Sequence, residues 1–185
     1  RSSDLNDIYI QWGLSKFFPA KTMSSHVTNW NRNTSVKFRT DVCSSCKLGF
    51  DIDLKSLSAE EYQFVKQAVS NYDLMKPVIF DGDLYRLVSP YEGNHCAINY
   101  VSKDQQRAVL FAFDLHPRYM EPLTNVRLQG LDPDRVYTVR ETNLMHGKKS
   151  ELTCDGKQYS GDYLMKVGLS VFTPRTGNSH VLILE

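Results

Sequence analysis

At 185 residues the chain can bury one good core, or two small domains that share one. Apolar residues make up 41% and charged residues 23%, the balance of a globular protein. With a formal net charge of +1, no Lys/Arg cluster and no apolar run near the ~20 residues of a membrane span, neither nucleic acid nor membrane is an expected partner. The chain opens on "RSSDLNDIYIQWG", already mid-pattern and without an initiator Met, as though cut from something longer. Leu5, Ile8 and Trp12 share one face, which predicts a helix over 5–16 with Asp4 as N-cap. "KTMSSHVT" reads as a short strand entering an Asn-rich loop from Thr28 to Thr34.

Phe38, Val42 and Cys46 recur every four residues, which predicts a helix over 37–47 with Gly49 as its C-cap; "FDIDL" then alternates like a strand. Ser58 and Glu61 form a capping box, with Leu57 and Tyr62 at staple positions. Tyr62, Val65, Val69 and Tyr72 continue that helix over 58–75, and Pro77 is expected to close it. Beyond Pro77 the period becomes two. "GDLYRLVSP", "CAINYVS", "RAVLFAFDL", "NVRLQG", "RVYTVRE", "DYLMKVGLSV" and "SHVLILE" are strand candidates between turns such as Glu92–Gly93–Asn94 and Asp132–Pro133–Asp134. "AVLFAF" is nearly continuous and should be a central strand.

Cys43 and Cys46 form a C-x-x-C, a spacing used by zinc ribbons and redox sites alike. A structural zinc site needs a second close pair, and neither His95–Cys96 nor His146 with Cys154 provides one. A redox pair sits at the start of a helix, whereas this pair falls in the later turns of one, so packing is the expected role. No metal and no cofactor are expected.

"IYIQWGLSKFFPAKTMSSHVTNW", "VKFRTDVCSSCKLGFDIDLKSLSAEEYQFVKQAV" and "GDLYRLVSPYEG" resemble the C-terminal part of bacterial α-galactosidases of glycoside hydrolase family 36. "VLFAF", "LQGLDPDRVYTVRE" and "YSGDYLMKVGL" are similar to the terminal β-domain of the same enzymes, in the same order along nearly the whole chain. The resemblance implies an α+β fold: the C-terminal helices and last strand of a (β/α)8 barrel at 1–76, then an antiparallel β-sandwich or Greek-key domain at 77–185. A single barrel strand, near Met23, is expected, and the β-domain is expected to bury its own face and form the stable unit.

The resemblance also implies chemistry that this chain does not complete. A retaining glycosidase needs a nucleophile and an acid/base carboxylate about 5–5.5 Å apart. In the family the nucleophile follows a Lys-Trp pair, and no Lys-Trp-Asp occurs here. The acid/base belongs to a Ser-Asp-x-x-Asp stretch that falls upstream of Asp4, so no catalytic residue is assigned and the chain alone is expected to be inactive. His26 and Trp30, at the end of the expected barrel strand, are the candidates for lining a sugar-binding rim. Asp51 and Asp53, and Asp81 and Asp83 on one face of a strand, are read as solvated. The expected substrates of the intact enzyme are α-galactoside oligosaccharides of the melibiose and raffinose type. The expected location is bacterial cytoplasm or periplasm. Its unpaired edge and apolar helix faces predict self-association or a homo-oligomer. The alternative is a stand-alone carbohydrate-binding or interaction β-domain without catalysis; a redox or zinc protein ranks below both.

Overall fold

The computed structural model describes residues 4–29 and 33–185. α1 (Asp4–Leu14) includes Asp4, so Asp4 is helical and not the flanking cap. Its face of Leu5, Ile8 and Trp12 packs into the core as the spacing predicts. A 3₁₀ turn at Ala20–Thr22 leads into β1 (Ser24–Thr28). α2 (Val36–Ser44) is capped by Ser35, whose side chain accepts the Phe38 amide at 3.1 Å, and it delivers the chain to β2 (Lys47–Asp51).

β1 and β2 pair in parallel, from Ser24 opposite Lys47 to Thr28 opposite Asp51. Parallel neighbours need a crossover, and α2 is that crossover. Two barrel-type strands are therefore present where the pattern pointed to one near Met23. Gly49, expected to cap the helix, lies inside β2, and the cap is Ser45. The cause is that Lys47–Asp51 pairs with β1, and a strand partner outweighs the local glycine signal.

α3 (Ala59–Asp81) begins with the predicted capping box: Ser58 Oγ takes the Glu61 amide and the Glu61 carboxylate takes the Ser58 amide. It does not stop at Pro77. Proline removes one intrahelical bond, but Val78 and Ile79 are buried beyond it, and their packing carries the helix across the expected 76/77 division. The buried stripe runs Phe64, Val65, Ala68, Tyr72, Met75, Val78, Ile79. Tyr62 and Val69, placed on that stripe by the sequence pattern, are exposed.

The remainder is one six-stranded sheet of β3 (Asp83–Val88), β4 (His95–Val101), β5 (Ala108–Asp114), β6 (Val136–Thr142), β7 (Gln158–Ser160) and β8 (Asn178–Leu184), in the order β3-β4-β5-β8-β6-β7. Every described pairing in it is antiparallel. β5 is buried along its whole length and central, as its continuous apolar run requires. Two strand candidates fail. "NVRLQG" makes only a bridge, Val126 to Leu169. "DYLMKVGLSV" begins as α4 (Gly161–Lys166), because Ser160 caps the Tyr163 amide at 3.1 Å and starts a helix. Asp81 also leaves its expected strand: it ends α3, while Asp83 in β3 pairs with exposed Lys103.

Alternate side chains of the sheet enter two cores. Cys96, Tyr100, Val109, Phe111, Phe113 and Val181 pack against Ile8, Trp12, Phe38, Val42 and Met75 of the helices. Ala97, Leu110, Ala112, Leu182 and Leu184 pack against Leu128, Leu131, Leu164 and Val171 on the other side. The expectation that the part after Pro77 buries its own face therefore holds for one face only. The second face is closed by α1, α2 and α3.

Candidate functional site

The parallel pair has one covered face and one open face. Ser25 points to the helices: its Oγ accepts from Gln11 Nε2 at 3.1 Å and donates to Cys43 Sγ at 3.2 Å. Val27 is buried, and Leu48 and Phe50 pack against the helical cores. By strand alternation Ser24, His26 and Thr28, with Lys47, Gly49 and Asp51 beside them in register, occupy the opposite face. That face is polar and lies open in this chain. His26 is exposed and lies across Gly49: a Cβ added there would fall 2.1 Å from His26 Cδ2. Glycine is what leaves room for the imidazole there.

A groove of about 510 Å³ runs along this edge, lined in part by Asp7, Gln11, Leu14, Phe18, Ser25 and His26. Beside it Ile10, Leu14, Phe17 and Phe18 are exposed, Phe17 by 80%. The rim above the strands is held from behind. Arg39, buried on α2, donates to the carbonyl oxygen of Thr28, and Asn29 Nδ2 donates to Ser56 Oγ at 3.3 Å. Tyr72 of α3 donates its hydroxyl to the Cys46 carbonyl at 2.7 Å and accepts the Leu48 amide at 3.2 Å. Tyr100 of β4 donates to the Ser45 carbonyl at 2.7 Å. Buried hydroxyls thus saturate the backbone that enters β2.

Of the two rim candidates, His26 stands on the open face, while Trp30 lies outside the described residues. Sequence reading missed Gly49 as the partner of His26, and it read Asp51 as part of a solvated connection; Asp51 is the exposed end of β2, on the same face as His26. The signal for both was the register of a parallel pair, which no local pattern encodes. Asp53 has a structural task, accepting the Lys55 amide at 3.0 Å to cap a 3₁₀ turn.

The C-x-x-C lies in the packed interior. Cys43 and Cys46 are buried and unbridged, and burial pushes the Cys46 thiol up to about 12. Burial likewise raises Cys154 to about 11 and raises Cys96 further. Among the described residues no three or more His, Cys, Asp or Glu side chains gather as a metal site, and no helix is long and apolar enough to cross a membrane.

A family model for the glycosyl hydrolase family 36 C-terminal domain matches residues 95–184, and one for melibiase matches residues 2–82. The chain belongs to glycoside hydrolase family 36. Among similar proteins, a probable alpha-galactosidase G of Aspergillus terreus is 32% identical over 191 residues, covering 100% of this chain and 24% of that protein. Alpha-galactosidase AgaA of Geobacillus stearothermophilus is 31% identical over 167 residues, covering 88% of this chain and 21% of that one. The resemblance to bacterial enzymes alone was too narrow, since fungal relatives match as well. The crystal structure of the family 36 alpha-galactosidase AgaB from G. stearothermophilus superposes with a TM-score of 0.83 at 30% identity, over 99% of this chain and 24% of that one. A doubly substituted AgaA in complex with raffinose superposes at 0.85 with 28% identity, over 99% of this chain and 24% of that one. The chain spans about a quarter of the length of these family 36 relatives. Its α+β architecture is that of their barrel and terminal β-domain.

Proposed function

We propose that the chain is the C-terminal part of a retaining α-galactosidase that acts on terminal α-galactosides of the raffinose and melibiose type. In this reading α1–α3 and the β1–β2 pair complete the catalytic barrel, and the six-stranded sheet supports it from outside. His26 and Trp30 belong to the sugar-binding rim; the nucleophile and the acid/base come from elsewhere in the barrel, so the chain alone does not hydrolyse galactosides. The exposed apolar patch of Ile10, Leu14, Phe17 and Phe18 makes the isolated chain self-associate.

The observation that carries this reading is the two-faced parallel pair: helices close one side, and the other presents only polar or glycine positions with His26 at their centre. A barrel interior places side chains in that way, and its functional groups gather at the C-terminal strand ends. That relatives of the same architecture bind raffinose and, in another AgaA complex, stachyose supports the substrate class. A stand-alone binding domain is disfavoured because Ile10, Leu14, Phe17 and Phe18 are left exposed together.

The test is a chimera in which this chain replaces the matching quarter of AgaA. It should hydrolyse raffinose and an aryl α-galactoside, while the 185-residue chain alone turns over neither. A folded chimera without α-galactosidase activity, or clear turnover by the pure chain, would overturn the reading.

A further inference from the structure

We propose that Asn143, just beyond the end of β6, is a positioning residue for the rim of the open polar face and acts on it through α2. The proposal rests on the functional reading above only for what the rim does; the mechanical link stands on geometry.

Asp41 of α2 is wholly buried and faces the sheet. Its Oδ2 accepts from Lys37 Nζ at 2.6 Å and from Ser179 Oγ of β8 at 2.6 Å, and its Oδ1 accepts from Asn143 Nδ2 at 2.8 Å. Lys37 also donates to the Ser179 carbonyl at 2.8 Å. Asn143 in turn accepts from Asn71 Nδ2 of α3 at 2.9 Å. A single amide therefore joins α2, α3 and the sheet. Asn143 has φ +54°, the left-handed region that asparagine tolerates better than most side chains, so its backbone is matched to this placement.

A buried carboxylate left short of partners is costly, so α2 has one favourable seat on the sheet. Two residues before Asp41, on nearly the opposite side of the helix, Arg39 reaches the other way to the Thr28 carbonyl. Arg39 is only 5% exposed, and its Nε has no hydrogen-bond partner among the described residues. Thr28 is the last residue of β1, two positions beyond His26. Arg39 and Asp41, two positions apart on α2, thus link a joint in the β-domain to the strand end that carries the rim. A shift of α2 on the sheet moves Arg39, and with it Thr28 and the strand face bearing His26.

Hydrogen–deuterium exchange on the 185-residue chain tests this. Asn143→Gly keeps the left-handed backbone and deletes both amide bonds. Leu164→Ala, in the core on the other side of the sheet, is the control for plain loss of stability. Compared at matched global stability, Asn143→Gly should speed exchange in peptides covering Ser24–Asn29 by about tenfold or more, and Leu164→Ala should not. Should Asn143→Gly fail to fold, Ser179→Ala, which removes one bond to Asp41, takes its place with a smaller rise in the same peptides. Unchanged protection there, or an equal rise in the control, overturns the proposal. In the AgaA chimera Asn143→Gly should raise KM for raffinose severalfold with kcat within about twofold, a split that general destabilisation does not produce. An inactive parent chimera would defeat the functional reading alone, since exchange on the chain still decides the link.

Discussion

His26 rests on Gly49. The glycine sits opposite it in the β1–β2 register, and a methyl group there would meet the imidazole at 2.1 Å from Cδ2 and 2.6 Å from Nε2. Gly49→Ala should therefore push His26 off the sheet. The ring is the exposed, movable end of the side chain, so the cost is that of a shifted rotamer, about 0.5–1.5 kcal/mol. It is offset in part by the ~0.5–1 kcal/mol that alanine gains over glycine in a strand interior. His26→Ala alone should be near neutral, and the double variant should recover most of the loss. Urea midpoints of the four proteins form the cycle; additivity within about 0.5 kcal/mol would mean that the two residues do not touch.

The thiols should be silent. With Cys46 pushed up to about 12 by burial, its thiolate fraction at pH 8 is about one in ten thousand. A thiol-reactive disulfide dye should leave the native chain unlabelled over minutes and should report all four cysteines after denaturation. Purified chain should hold no stoichiometric zinc or iron, and Cys43→Ser with Cys46→Ser should still fold. Rapid labelling of one native thiol, or one equivalent of zinc lost in the double variant, would contradict this.

Acid should loosen the sheet at Glu141. Burial alone would raise its carboxyl, but hydrogen bonds from His180 and Ser150 outweigh that and hold it below its ordinary 4.5. The folded value lies below the unfolded one, so its contribution is present above about pH 4.5 and is lost as pH falls through the folded value. Thermal midpoints should therefore drop on acidification, and Glu141→Gln should start lower at neutral pH with a shallower acid slope. Parallel curves for the two proteins would place the acid sensitivity elsewhere.

Shortening the chain should expose core rather than free a domain. A chain beginning near Ser58 lacks Ile8, Trp12, Phe38 and Val42, which cover Phe111, Phe113 and Val181. Contrary to the simple division after Pro77, it should aggregate. The 185-residue chain should associate reversibly, and Phe17→Ser with Phe18→Ser should shift it toward monomer. Light scattering after size exclusion reads both, and a soluble monomeric short chain would refute the shared core.

The sequence by itself determined the elements whose causes are local. Ser58 and Glu61 start α3 because the capping bonds span one turn, and Leu5, Ile8 and Trp12 face the core because a helix repeats every 3.6 residues. β5 was legible as central because a strand buried on both faces needs apolar residues at every position. Its quoted stretches also carried the family resemblance. Only the tertiary structure decided the pairing of β1 with β2, the meeting of His26 with Gly49, and the joint between Asp41 and Asn143. Those contacts link residues 23 and 102 positions apart, and nothing local distinguishes such a glycine or aspartate from one in a turn. Pro77 shows the same limit: its missing amide signals a stop, but burial of Val78 and Ile79, supplied by residues distant in the chain, outweighs one lost hydrogen bond.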